Sequence, residues 1–176
     1  VLLGISGSLL GINWVFLFKA FEYVSVSNAI LVYYLAPVFV IILSPIILKE
    51  RFNIVKLFCV ILAMIGLFLI INSDSTTLQN QGDYIKGVAY SLLAAIFYSS
   101  VILMNKKIKD LTGFETTLVQ LIFSVIILLP IIFYNGNINI AKLNHVSLIF
   151  ILILGILHTG IAYLLYFSSM KELEAQ

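Results

Sequence analysis

The 176-residue chain is 62% hydrophobic and only 10% charged, with a mean hydropathy of +1.15, whereas a soluble domain carries roughly a quarter of its residues charged. That excludes a water-soluble globule, and the net charge of +2 is too small and too dispersed for nucleic-acid binding. The single Cys59 excludes an intrachain disulfide and reads as a small buried hydrophobe.

Six apolar segments follow one another, at about 2–24, 27–48, 54–72, 84–104, 115–134 and 146–169. Each approaches the roughly 20 residues that cross about 30 Å of hydrocarbon as a helix. Barrel strands would alternate in hydrophobicity, and runs such as Val38 to Leu43 or Leu148 to Leu154 do not. The fold class is therefore all-α integral membrane, with six transmembrane helices and no room for a soluble domain. Near Val1 there is no basic n-region and no cleavage site, so no signal peptide is expected. Apolar runs at both ends suggest an excerpt of a longer protein.

In the first segment Gly4/Ser8 and Gly7/Gly11 place small residues four apart, as do Gly87, Ser91, Ala95 and Ser99 in the fourth. Such rows let helices approach closely in lipid. Lys19 and Glu22, three apart near one end of the first segment, read as a mutual ion pair with a snorkelling lysine. Pro37 falls in the middle of the second segment, where it cannot donate to the Tyr33 carbonyl and should kink or open the helix. In lipid that carbonyl must find a partner, so Tyr33 and Pro37 should face protein or cargo. Polar breaks separate the segments at Ser25–Asn28, Lys49–Asn53, Asn72–Asp83, Asn105–Gly113 and Asn135–Asn144, and Thr112 with Glu115 predicts a capping box for the fifth helix. That helix offers only Gln120 and Ser124 as polar side chains inside the membrane.

Basic residues set an orientation. Lys49, Arg51, Lys56, Lys106, Lys107, Lys109 and Lys171 fall on one side, and Lys86 and Lys142 on the other. The Val1 and Gln176 ends and the turns at Lys49 and Lys106 should be cytoplasmic, with the Asn72–Asp83 loop outside. Aligning the first and sixth segments pairs Gly11, Ile12 and Phe18 with Gly160, Ile161 and Phe167, and Trp14 with Tyr163. Helices five apart cross in opposite senses, the design of inverted-repeat transporters.

Residues Phe18 to Ala29, then Tyr33-Tyr34-Leu35-Ala36-Pro37-Val38-Phe39 and Leu48-Lys49-Glu50-Arg51, together with Gly66, Gly82-Asp83, Gly87 and Lys106-Lys107, resemble the EamA-type members of the drug/metabolite transporter superfamily. The resemblance implies ten helices in two inverted five-helix halves. Residues 1–72 would then be the last three helices of one repeat, 73–83 an extracytoplasmic linker, and 84–176 the first three helices of the next. It also implies a multi-pass cell-membrane protein that moves small amino-acid-like or drug-like solutes, by export, through a central cavity. No ion or cargo ligand carries over, because those vary within the family.

Mid-span polar and aromatic groups are costly against lipid, so the candidate cargo contacts are Asn13, Trp14, Tyr33, Tyr34, Pro37, Tyr90, Tyr98, His158 and Tyr163. The repeat alignment sets Asn13 and His158 in a shared central layer, and a titrating His158 would make transport depend on pH. No catalytic residue, metal site or cofactor is expected: there is no His/Cys/carboxylate cluster and no Gly-rich phosphate loop with its lysine. Gly4-Ile5-Ser6-Gly7 matches the GxSG of intramembrane rhomboid proteases, but its serine and His158 are about 150 residues apart. A channel or structural membrane subunit is the other alternative, without a charged pore ring to mark it. Expected partners are small-molecule cargo and the lipid bilayer, with no nucleic acid; a homodimer is left open.

Overall fold

A computed structural model describes residues 1–49, 54–74, 81–108, 111–135 and 144–172, and all regular structure among them is helical. In chain order the helices are α1 (Leu2–Ala20), α2 (Val26–Tyr33), α3 (Ala36–Ile47), α4 (Ile54–Asp74), α5 (Gln81–Lys107), α6 (Gly113–Asn135), α7 (His145–Ile153), a π-helical segment (Leu154–Ile161) and α8 (Ala162–Glu172). Among the described residues, five stretches are long and apolar enough to cross a membrane: Leu2–Ala20, Val26–Ile47, Gly82–Lys107, Gly113–Tyr134 and His145–Tyr166. The described apolar part of α4, Ile54–Gly66, is shorter. Glu50 and Arg51 of the exit turn, Lys109, Lys142 and the loop 75–80 lie outside the described residues.

Local chemistry explains most boundaries. The first helix stops at Ala20, four residues before the end of its apolar run, where Tyr23 and Val24 both donate to the Ala20 carbonyl at 3.0 Å. Ser25 then caps α2, its side chain accepting from the Asn28 amide at 3.3 Å. At Thr112 the capping box forms as expected: the Thr112 amide donates to Glu115 Oε2 at 2.8 Å, and the Glu115 amide to Thr112 Oγ1 at 3.2 Å. Asn144, the last residue of a polar break, caps α7 by accepting from the Ser147 amide at 2.7 Å.

Two apolar segments are not single α-helices. The second is broken at Tyr34–Leu35, where Leu35 donates to the Val32 carbonyl at 3.0 Å in a tighter turn. Pro37 thus sits in the first turn of α3 rather than in a helix interior, a position where its missing N–H costs nothing. The opening expected there is confined to this junction: Tyr34 and Leu35 stay in the right-handed helical region, and Phe39 donates to the Leu35 carbonyl at 3.1 Å. The sixth segment widens to π geometry across Leu154–Ile161, with the Ala162 amide reaching back to the Leu157 carbonyl. At the far end of α3, Lys49 takes a positive φ of 59°, the left-handed C-terminal conformation that glycine usually supplies.

The chain divides into two compact units. One comprises Ile12–Leu103 with Ala175–Gln176, the other Val1–Gly11 with Met104–Glu174. The first has an apolar interior in which Ala20, Val24 and Ala29 pack with Phe21, Tyr84 and Tyr90. Val32, Val40, Ala94, Ala95 and Val101 are also buried. In the second, Leu10 is the one buried hydrophobic side chain among the described residues; its buried polar side chains are Ser6, Asn105, Thr116, Thr117, Gln120 and Ser124, beside the buried Gly7, Gly11 and Gly113. Its exposed faces are Leu, Ile, Val and Phe. Such a body buries its polar groups and presents hydrocarbon outward, as lipid requires.

Candidate functional site

Within the unit Ile12–Leu103, α1, α2 and α5 bring four of the candidate residues together. Asn13 is fully buried, and its Nδ2 donates to the Ala94 carbonyl of α5 at 2.7 Å. The carboxamide oxygen accepts a long bond from the Tyr33 hydroxyl at 3.5 Å. Tyr33 in turn lies against Tyr98, ring centroids 5.6 Å apart and tilted by 37°. Alongside runs an aromatic ladder: Phe97 stacks on Phe16 at 5.4 Å, Phe16 on Tyr90 at 6.0 Å and Tyr90 on Tyr23 at 5.7 Å. Such contacts add about 0.5–1.5 kcal/mol each beyond burial. Tyr90 and Phe97, seven apart, repeat along one face of α5, while Phe16 stands on α1 and Tyr23 in the turn that follows it.

The ladder ends among charges. The Lys19 and Lys86 ammoniums lie 5.9 and 5.7 Å from the Tyr23 ring centroid, within reach of its negative face. Lys19 pairs with Glu22 at 2.7 Å, as expected, and Lys86 with Asp83 at 3.0 Å. All four carry substantial exposure, so the pairs cap the ladder with little energetic weight.

The remaining candidates are dispersed. Tyr34 and Pro37 are exposed beside the break between α2 and α3, and Trp14 and Tyr163 are half-buried. His158 is exposed within the π-helical segment, which belongs to the unit Val1–Gly11 with Met104–Glu174. There Thr159 Oγ1 donates to the Leu154 carbonyl at 3.0 Å. Beside it α6 and the last span enclose a groove of about 430 Å³, lined by Phe114, Leu121 and Ile122 facing Ile156, Gly160 and Leu164.

Sequence reasoning missed the polar core of that second unit. Asn105, the first residue of an expected polar break, lies inside α5 and is 3% exposed. Its Oδ1 accepts from Ser6 Oγ at 3.1 Å and from Gln120 Nε2, while its Nδ2 donates to Gln120 Oε1 at 3.4 Å. Gln120 Nε2 also donates to Ser6 Oγ at 2.6 Å. Ser6 is therefore committed to two carboxamides, which removes the basis for a Ser-His dyad. The one available signal was that Gln120 has few uses inside a membrane except against another polar group. Among the described residues no three His, Cys, Asp or Glu side chains gather as a metal site.

The family model of the EamA-like transporter family matches residues 1–72 and 85–176. The chain is 39% identical over 172 residues to an uncharacterized transporter, YxxF, of Bacillus subtilis (strain 168), covering 97% of this chain and 53% of that protein. It is 26% identical over 159 residues to an uncharacterized transporter of Clostridium kluyveri, covering 89% of this chain and 51% of the relative. The chain thus spans about half the length of the curated relatives it matches, and no solved structure matches it. With five candidate spans and a family match over nearly all its length, this multi-pass membrane chain belongs to the EamA-like transporter family.

Proposed function

We propose that the protein is a secondary transporter that moves small organic solutes across the cell membrane by alternating access, with export as the direction. The full protein has ten helices in two inverted halves, of which this chain supplies the last three of one and the first three of the next. Cargo contacts the Tyr33–Tyr98 pair, with Asn13 positioning Tyr33, and Tyr90, Trp14, Tyr34 and Pro37 complete that side. The observation that carries this reading is family membership combined with a desolvated carboxamide and paired tyrosines in mid-span, where lipid tolerates neither without a use. The two ends face the cytoplasm.

Reconstituting the full-length protein in proteoliposomes and challenging it with a metabolite panel tests the reading. Saturable, accumulative uptake or counterflow that weakens in Tyr98→Leu is expected; non-saturable flux identifies a channel, and no flux of any solute rejects transport. Orientation is tested separately in a Cys59→Ser background. A cysteine at Gln79 should label from outside, and one at Lys107 should not.

A further inference from the structure

We propose that Ser6, Asn105 and Gln120 form a register lock that holds the first half of α1, the end of α5 and α6 as one body that does not come apart while the protein works. The two carboxamides face each other as a cyclic pair, Gln120 Nε2 to Asn105 Oδ1 and Asn105 Nδ2 to Gln120 Oε1. The Ser6 hydroxyl bridges them, donating to Asn105 and accepting from Gln120. Both hydrogens of the Gln120 amide are used, and the three side chains are 0%, 3% and 0% exposed. Opening the cluster would strand several polar atoms in an apolar environment, where water cannot replace the lost partners. No member carries a titratable proton, so pH gives the cluster no reason to open.

A second observation excludes sliding. A Cβ on Gly7 would lie 2.9 Å from both the Cα and the carbonyl oxygen of Gln120, and one on Gly11 would lie 3.0 Å from the same atoms of Ser124. Ser124 Oγ also donates to the Gly7 carbonyl at 2.9 Å. A shift of α1 by one turn would bring Leu3 or Val15 against this backbone seam and replace Ser6 with Leu2 or Leu10 at the carboxamides. Both results clash or leave the amides unpaired. A gate needs two acceptable packings; this contact has one. The proposal does not depend on the transport reading.

The test uses the full-length protein in lipid nanodiscs, Cys59→Ser, with spin labels on exposed sites of the two helices, Ile5→Cys in α1 and Val125→Cys in α6. One narrow distance distribution is expected, unchanged by a mixture of metabolites, and Gln120→Leu should lose that single peak. Two distances in the unmutated lock, or an unaltered peak in Gln120→Leu, overturns the proposal. Should Gln120→Leu fail to fold, the milder Ser6→Ala replaces it, which removes the bridging hydroxyl from both carboxamides. A broadened or second distance is expected, and an unaltered peak overturns the lock. Because the readout is a distance, its failure is distinguishable from a failure to find cargo.

Discussion

The two compact units solve the problem of living in lipid in opposite ways. Ile12–Leu103 buries mainly alanines and valines; of its buried polar side chains Ser91 and Ser99 bond locally, to the Gly87 carbonyl at 3.0 Å and to that of Ile96 at 2.7 Å, while Asn13 reaches across helices to Ala94. The unit of Val1–Gly11 with Met104–Glu174 buries serine, threonine, asparagine and glutamine; Thr116 and Thr117 bond four residues back, whereas Ser6, Asn105, Gln120 and Ser124 bond across helices to partners 15 to 117 residues apart in sequence. Between lipid-covered helices apolar contact confers little specificity, since acyl chains are as apolar as leucine. The apolar unit is held by shape and aromatic stacking; the polar unit is held by bonds that only one arrangement satisfies.

Matched glycine substitutions should separate the two most strongly. Gly7→Ala puts a methyl group 2.9 Å from α6 backbone and 2.7 Å from Phe123 Cβ, whereas in Gly87→Ala the nearest atoms are the Val24 methyls at 2.5 and 2.9 Å. Backbone cannot yield without moving a helix, but a valine side chain can turn. Gly7→Ala is expected to cost about 3 kcal/mol and Gly87→Ala about 1 kcal/mol, read from thermal unfolding of the full-length protein in detergent. Equal losses would show that the polar unit has no tighter seam.

Next in size comes a matched pair of carboxamides. Asn105→Leu removes three bonds and strands the Gln120 amide, for an expected loss of about 3 kcal/mol. Asn13→Leu removes one strong bond to a carbonyl and the long bond from Tyr33, for about 1 kcal/mol. The stability difference should persist in lipid, while Asn13→Leu alone should reduce transport. A larger stability loss from Asn13 would move the structural weight to the candidate site.

The smallest effect sharpens a contrast between spans that the repeat alignment pairs. Gly11 and Gly160 correspond at that offset, yet a Cβ on Gly11 meets α6 backbone at 3.0 Å and one on Gly160 meets only the Gly155 carbonyl at 3.5 Å. The equivalent stretches are α-helical in one span and π-helical in the other. Gly155, with no neighbour within 4 Å of an added Cβ, should accept alanine with a change of at most about 1 kcal/mol, in the stabilising direction. A marked loss of stability on Gly155→Ala would show that this face is covered in the full-length protein.

Much of the architecture was determined by residue order alone. Hydropathy sets which stretches leave water, so the six windows emerged within a few residues, and local chemistry placed the capping box at Thr112, the Lys19–Glu22 pair and the small-residue rows. What spacing could not decide is which polar side chain meets which, because those pairings join distant segments and cost or gain energy only once the helices pack. Asn105 looked like the start of a loop until Ser6 and Gln120 gave it partners. Tyr33 and Tyr98, merely two aromatics in separate spans, became a pair through the close approach of α2 and α5. Pro37 announced an irregularity but not its form, since a missing N–H permits either a kink or a break. Composition selects the lipid phase; tertiary contact alone satisfies the groups that lipid cannot.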